Sequence, residues 1–476
     1  MNKLIITSLF ILIVQCVWAM DYRLTAGGKT TQVVPFKDYY YAEAEQTGAA
    51  EYTLTASEKI ECFEISPKSR KVNANLKGNT LTFKLDNPGY YLVRINDKDK
   101  IFVFAEQTEE VPTKNVVSIL TYGVDNSGKT DVTSKVQKAL DETAKKGKTL
   151  LFPEGTYTCK MLQLKSNTHV YLTKGAIIQA NPGDFTYYQS EDNVKTKKFI
   201  YIKDARNVSI QGRGALNGNG RQLREAFGDK ARMRLLMAVA SKDIQIEGVM
   251  LQDPGSWNTQ ILACKEVIFR HVKVMNDIQL SNTDGIDPDA TQNMLIENCF
   301  AYCGDDNIAI KTTEYSGYLE DVDNITVKGC VFLTKKSSLK VGTETRGQEM
   351  RNITFEDNDV IESDRGMALY SSDGAVFKNI RYINNRFERN LPNAKRAGIH
   401  FVADRRNPKS RLGKMENILI KDCSFEKPFP KNSEIKYEGD TTGIEVTIEN
   451  LTIAGKKINT LEDGNIKAIQ STVHLK

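Results

Sequence analysis

From residue 207 onward the chain repeats one pattern: a polar residue, usually Asn, opens a short apolar alternation that closes on a turn residue. The units start at Asn207 (NVSIQG), Asp243 (DIQIEG), Glu266 (EVIFRH), Asn293 (NMLIEN), Asn324 (NITVKG), Asn352 (NITFED), Asn379 (NIRYIN), Asn417 (NILIKD) and Asn450 (NLTIAG). The closest starts, Asp243 and Glu266, lie 23 residues apart and the widest, Asn379 and Asn417, lie 38 apart. Strand-like units at such a period, with no helical pattern between them, predict a solenoid of stacked coils, hence a parallel β-helix. Four of the opening asparagines, Asn207, Asn324, Asn352 and Asn450, also spell N-x-S/T. Here the Asn is read as a repeating turn residue stacked on its neighbours, so glycosylation is not expected.

Upstream the pattern differs. Seven short alternating runs (TQVVPF, YYYAEAE, EYTLTA, IECFEI, NTLTFKL, GYYLVRI, KIFVFA), separated by turns such as DNPG and NDKD, predict a small β-sandwich over residues 20–107. A linker is expected over 108–116, around Pro112, and the β-helix domain over 117–476. Within it, Asp131 is placed to cap a helix from Thr133 to Ala144, with Val136, Ala139 and Leu140 on one face. Such a helix would cover the open end of the stacked sheets, where backbone groups lack partners. The fold class is thus all-β: a parallel β-helix preceded by a sandwich.

Composition narrows the function. A net charge of +5 over 476 residues, with no basic stripe interleaved with aromatics, speaks against nucleic acid as a partner. Residues 1–19, with Lys3, an apolar run from Leu4 to Val14 and Ala19, read as a signal peptide cleaved near Ala19, so a secreted or periplasmic protein is expected. Gln15 is too bulky to precede a lipid-anchored Cys16, and no later run is long enough to span a bilayer. After the leader seven cysteines remain, without a CxxC pair that would suggest zinc. Those in LACKEV, IENCF, VKGCVF and IKDCSF are read as buried packing residues.

The candidate chemistry lies in SNTDGIDPDATQNMLIENCFAYCGDDNIAIK, residues 281–311. Asp284 stands one repeat ahead of the adjacent pair Asp305 and Asp306, with the strand NMLIEN between the two turns. Neighbouring rungs lie about 4.8 Å apart, so the three carboxylates are expected to crowd one another. Crowding raises proton affinity unevenly, leaving one acid protonated beside another ionised, as glycosidic cleavage requires. Asp287 and Asp289 are read as turn residues.

NTDGID at 282–287, GDDNIAIK at 304–311 and DPGSWNTQILACKEV upstream resemble the polygalacturonase family, glycoside hydrolase family 28; YGVDNSGKTD and FPEGTY are similar to the opening of pectin-degrading β-helix enzymes. The resemblance covers about residues 117–460. It implies a right-handed parallel β-helix and hydrolysis with inversion, without metal or other cofactor. Carried over by position, Asp305 would protonate the leaving oxygen, Asp284 and Asp306 would activate water, and Asn282 would lie in the same cleft. Two departures stand out. Lys336 or Ser337 occupies the place of a family His, and RGMALY replaces RGLRIK, putting Ala368 and Tyr370 where Arg and Lys would hold a uronate carboxylate. On that basis a neutral sugar, or an acidic one held differently, is expected. The sandwich and KVGTET are also loosely similar to the dextranase family.

Trp257 is a candidate sugar platform or a core residue, Lys311 and Lys340 candidates for substrate contact or for pairing with the acids, and His400 a candidate for core or cleft rim. The expected partner is a polysaccharide or oligosaccharide, with the protein a monomer. Two rivals remain open at this level: a polysaccharide lyase, and a glycan-binding protein without turnover.

Overall fold

The protein is described by a computed structural model that covers residues 21–315, 317–394, 396 and 398–476. The expected signal segment, residues 1–19, lies outside them. Two compact units result: residues up to Ser66 with Lys71–Thr108 in one, and Pro67–Arg70 with Glu109–Lys476 in the other.

In the first unit two five-stranded sheets share one core. Leu24, Leu54, Leu81 and Phe83 from one sheet meet Ala42, Val93, Ile101 and Val103 from the other, because alternate residues of a strand face the same side. The unit is a β-sandwich. Three strands exceed the seven runs read from sequence: Tyr22–Ala26, Lys29–Thr31 and Ala74–Lys77. The last two are short sheet edges: KTT carries no apolar residue, and the alternation of ANLK, with Ala74 and Leu76 against the core, is only four residues long.

The second unit is a parallel β-helix whose described residues form two sheets of thirteen strands and one of eleven. One coil runs Thr259–Leu262, Lys265–Arg270 and Lys273–Met275, and the next begins at Ile286–Asp289, paired in register with the first strand of the coil before. Inward residues of all three sheets merge into one core along the axis, including Ile261, Val267, Val274, Ile286, Ile296 and Ala301.

Eight of the nine repeat-opening residues are not in turns: Asn207, Asp243, Glu266, Asn293, Asn324, Asn352, Asn379 and Asn417 lie within strands, whereas Asn450 lies in the bend after Ile444–Glu449, and all nine have φ between 51° and 57°. Asn and Asp tolerate this left-handed region better than other non-glycine residues, which explains the repeated amide. Their side chains bond to one another, as in Asn324 Nδ2 to Asn293 Oδ1 at 2.9 Å and Asn417 Nδ2 to Asn379 Oδ1 at 2.7 Å.

A second, internal pair satisfies buried backbone. Asn358 Nδ2 donates to Val327 O (3.0 Å) and Asn385 Oδ1 (2.9 Å), and Asn385 Nδ2 donates to Phe355 O (2.8 Å). Replacing Asn385 by Ala removes the acceptor of Asn358 N (3.2 Å) and the donor to the Phe355 carbonyl inside the core. The expected cost is about 2–4 kcal/mol, at 1–3 kcal/mol for each unpaired group, measurable as a lower urea midpoint with unchanged slope.

The helix at the N-terminal end spans Thr133–Lys145 and buries Val136, Ala139 and Leu140. Asp131 accepts from Thr133 N (3.0 Å) and Thr133 Oγ1 (2.6 Å). Gln137 then stands in for a missing strand: it donates to Gln163 O (2.8 Å) and accepts from Gln163 N (2.9 Å). Cys159, Cys264, Cys299, Cys303, Cys330 and Cys423 are buried and free, and Cys62 is exposed and free. Among the described residues no helix is long and apolar enough to cross a membrane.

Candidate active site

The eleven-stranded sheet carries the acids. Asp284 precedes the strand Ile286–Asp289, and Asp305 and Asp306 precede its neighbour Ile308–Thr312; the register Ile286 to Ile308 sets Asp284 level with Asp306. The turns can stack this closely because both carry glycine. A Cβ on Gly285 would lie 2.4 Å from Asn307 O, and one on Gly304 would lie 2.5 Å from Thr283 Oγ1. Asn307 braces the second turn, its amide donating to Ala301 O (3.1 Å) and Leu333 O (2.7 Å).

One carboxylate oxygen from each of Asp284, Asp305 and Asp306 lies within 4.8 Å of the others. Asp284 and Asp306 are buried, Asp305 half-buried. Two ammonium groups divide them. Lys340 Nζ donates to Asp306 Oδ2 at 2.6 Å, and Ser337 N donates to Asp306 Oδ1 at 2.9 Å. Lys311 Nζ lies 3.2 Å from Asp284 Oδ2 and 3.3 Å from Asp287 Oδ2, with all three side chains at most 4% exposed. Among the described residues Asp284 Oδ1, itself buried, accepts no hydrogen bond.

The proton affinities separate accordingly. Burial, then Asp284 and Asp306, push Asp305 up to about 7. Burial would also raise Asp306, but Lys340 and Arg365 overcome it and hold this acid down at about 2. Burial raises Asp284, with Lys311 opposing and Asp306 reinforcing. Asp287, buried beside Asp284, is raised further still. A protonated acid beside an ionised one at neutral pH can donate a proton to one atom while a neighbour accepts from another.

Asp287 and Asp289 are strand residues, not turn residues. Both are fully buried, and Asp289 accepts from Gln260 Nε2 (2.9 Å), Thr313 N (2.9 Å) and Thr313 Oγ1 (2.6 Å). The alternation IDPD misled because proline and acids suit turns as well as a sheet face lined with polar partners.

Trp257 is half-buried one strand from Asp284, with Lys311 Nζ 3.4 Å and the Arg234 guanidinium 3.9 Å from its ring centroid. These cations hold the ring by cation–π attraction. Asn282, at φ 55°, accepts a hydrogen bond from Arg232 Nη1. Lys336 is exposed, and its charge acts on Asp305. Tyr370, 6% exposed, lies beside Lys340, Arg365 and Arg396, whose cationic centres are 6.0, 6.0 and 5.6 Å from its ring.

The replacement of RGLRIK therefore does not leave the cleft without cations. Arg365, the first residue of RGMALY, and Arg396 from a loop put two guanidinium groups around Tyr370. The sequence offered Arg365 inside a quoted motif and Arg234 as a lone charge in the apolar strand MRLLMAV; nothing marked Arg396. His400 packs against Tyr370 at 5.4 Å between ring centroids, and burial with Arg396 and Arg365 pushes it down to about 3, so it is neutral. A groove of about 900 Å³ on a different sheet, floored by Gln245, Ile268, Leu295 and Thr326, contains none of these acids, so size alone does not mark the site.

The sequence profile of Glycosyl hydrolases family 28 matches residues 143–472. A probable polygalacturonase of Vitis vinifera is 25% identical over 281 residues, covering 54% of this chain and 57% of that protein, so the chain spans little more than half of that relative. An endo-polygalacturonase of Pectobacterium parmentieri is 25% identical over 365 residues, covering 70% and 87%. Among solved structures, the family 28 exopolygalacturonase of Yersinia enterocolitica superposes with TM-score 0.62 at 17% identity, covering 94% of this chain and 98% of that one. Dex49A from Penicillium minioluteum gives 0.57 at 12%, covering 96% and 94%. At such identities these two structures speak for the fold alone.

Proposed function

The chain belongs to glycosyl hydrolases family 28, and from that premise we propose that it hydrolyses glycosidic bonds of an acidic, pectin-related glycan. Asp305 serves as general acid, Asp284 as the base for the attacking water, and Asp306 as the ionised neighbour of both. The observation that carries this reading is the split in proton affinity within one cluster, about 7 for Asp305 against about 2 for Asp306.

Asp305 delivers its proton to the glycosidic oxygen as the bond to the anomeric carbon breaks. Asp306, pinned by Lys340 and Ser337 N, stays ionised and stabilises positive charge developing on the ring. Asp284 keeps one oxygen without a partner among the described residues and takes the proton of the attacking water. Inversion is what the family resemblance implies, whereas an oxygen separation within 4.8 Å is nearer the spacing of about 5–5.5 Å typical of retaining pairs. Inversion therefore requires side chains to turn apart around the substrate. We expect the first product to carry the inverted anomer, read by proton NMR.

An acidic substrate is supported by the cations that gather beside the acids: Lys336, Lys340, Arg365 and Arg396. Of the two readings drawn from Ala368 and Tyr370, this supports the acidic sugar held differently over the neutral one. Arg396 is exposed, so Arg396→Ala should fold normally and raise KM on polygalacturonate about tenfold, the loss of one charge-assisted hydrogen bond, with kcat little changed.

The deciding experiment measures reducing-sugar release from polygalacturonate, rhamnogalacturonan, arabinogalactan and dextran, with and without a chelator. Release from an acidic glycan that survives the chelator is the expected result. Release from dextran alone would sink the acidic substrate, loss with the chelator would favour a lyase, and binding without release would favour a glycan-binding protein.

A further inference from the structure

Alternate residues of the eleven-stranded sheet point away from the core, and one such row crosses the candidate site. In register it reads Tyr201, Met237, Gln260, Asp287, Ala309, Lys340, Ala368, His400, Glu434 and Lys467. Its two ends differ. Tyr201 is 1% exposed and Met237 and Gln260 are 0% exposed, although they face outward, whereas Glu434 is half-buried and Lys467 exposed. The row stays buried through Asp287, Ala309 and Ala368 at the site and opens only at Glu434 and Lys467, but over Tyr201 and Met237 the covering residues come from a separate segment.

The cover is the segment 189–196. Tyr201 Oη donates to Asp192 Oδ2 at 2.8 Å, while Ser190 Oγ (2.6 Å) and Val194 N (3.0 Å) donate to Asp192 Oδ1. Lys198, itself fully buried, donates to Val194 O at 2.7 Å. Val194 is 0% exposed and packs with Tyr201, Met237, Val239 and Leu262, and Tyr318 lies against the same cluster. The segment is polar and three of its residues, Glu191, Asn193 and Lys195, are exposed, but one buried apolar anchor, Val194, and four hydrogen bonds tie it down as a plug over the sheet face.

We infer that this segment closes the cleft on the side of the low-numbered strands, so that the enzyme attacks a chain end and releases a short fragment of fixed length. The cluster under the plug extends to Leu262 on the strand Thr259–Leu262, one strand from the one led by Asp284. One rung at about 4.8 Å leaves room for about one pyranose ring between wall and acids, beside Trp257 and the Arg232–Asn282 pair. On the other side the row runs out to exposed Lys467, so the remainder of the polymer can extend that way. The inference rests on the hydrolase reading for turnover, not for binding.

Two measurements test it separately from that reading. With wild-type protein on polygalacturonate, the expected first product is a monosaccharide alone, with little early loss of viscosity. A ladder of sizes with rapid viscosity loss would overturn the inference. With the Asp305→Asn protein, binding to oligogalacturonides of increasing length should saturate at one protein per chain whatever the length; a stoichiometry that grows with length would overturn it even if no glycan is cleaved. Asp192→Ala, which unties the plug without touching the acids, should broaden the product sizes in a protein of unchanged circular dichroism. An unchanged product profile in that variant would remove the wall from this segment.

Discussion

Asp305→Asn should cut turnover about 10²–10⁴-fold, the usual contribution of a positioned general acid, while leaving the fold as stable as the wild type or slightly more so. The stability half follows from sign. The carboxyl of Asp305 is raised to about 7 in the folded protein, above its unfolded value. Its ionisation therefore opposes folding as pH rises through that range, and a neutral amide escapes the penalty. The contact in which Asp306 N donates to Asp305 Oδ1 at 3.0 Å can be kept by the amide oxygen. The pH profile of kcat/KM carries the other half. Activity should fall above about pH 7, as Asp305 loses the proton it must donate. It should also fall on the acid side at a pH above the ordinary carboxylate range, because Asp284 must be ionised and is itself raised. A variant that lost activity together with melting temperature, or a wild-type profile still rising at pH 9, would show that Asp305 is not the acid.

Lys311→Met should be the most destabilising single change at the site. Lys311 is the shared cation of Asp284 and Asp287, and none of the three side chains is more than 4% exposed. Burial works against its charge, but the two carboxylates outweigh that and raise its proton affinity. Removing one partner from a buried pair leaves an uncompensated charge and costs about 3–5 kcal/mol. The deficit should be largest near pH 7 and shrink on acidification. Both aspartates are already raised by burial, and losing the ammonium raises them further, so protonation at lower pH removes the stranded charge. Urea titrations at pH 5 and pH 7 would read this directly. Adding Asp287→Asn to the variant should restore part of the lost stability at pH 7, because these residues touch and their effects are not additive. Turnover should not return with it, since without Lys311 the proton affinity of Asp284 rises further and the fraction of it free to accept a proton falls. An equal deficit at both pH values would show that packing against Trp257, not charge, is what Lys311 supplies.

The repeat NITVKG, NITFED, NIRYIN was legible because its cause is local. Alternation is set by the two-residue period of a strand and the opening asparagine by a left-handed φ, and both are properties of a few consecutive residues. The acid cluster was legible for a related reason: in a solenoid, one sequence period is one step in space, so Asp284 and Asp306 could be set side by side before any coordinates. The same holds for the helix after Asp131, although Val132 takes the cap position and Asp131 reaches Thr133 N from one residue before it. The electrostatic partners were not legible. Lys311 could have served substrate or acids, and only its burial against Asp284, Asp287 and Trp257 assigns it to the acids. Arg396 is brought to Tyr370 from a loop, and loops obey no period. The supposed loss of cations at RGMALY was an inference about positions, whereas a carboxylate responds to charge from any direction, including Arg365 and Arg396. The plug over Tyr201 likewise depends on how residues 189–196 fold back on a sheet face. Periodicity specified the scaffold and where the acids stand; charge neighbours, proton affinities and the closed end of the cleft arise from contacts between segments whose separation along the chain carries no regular spacing.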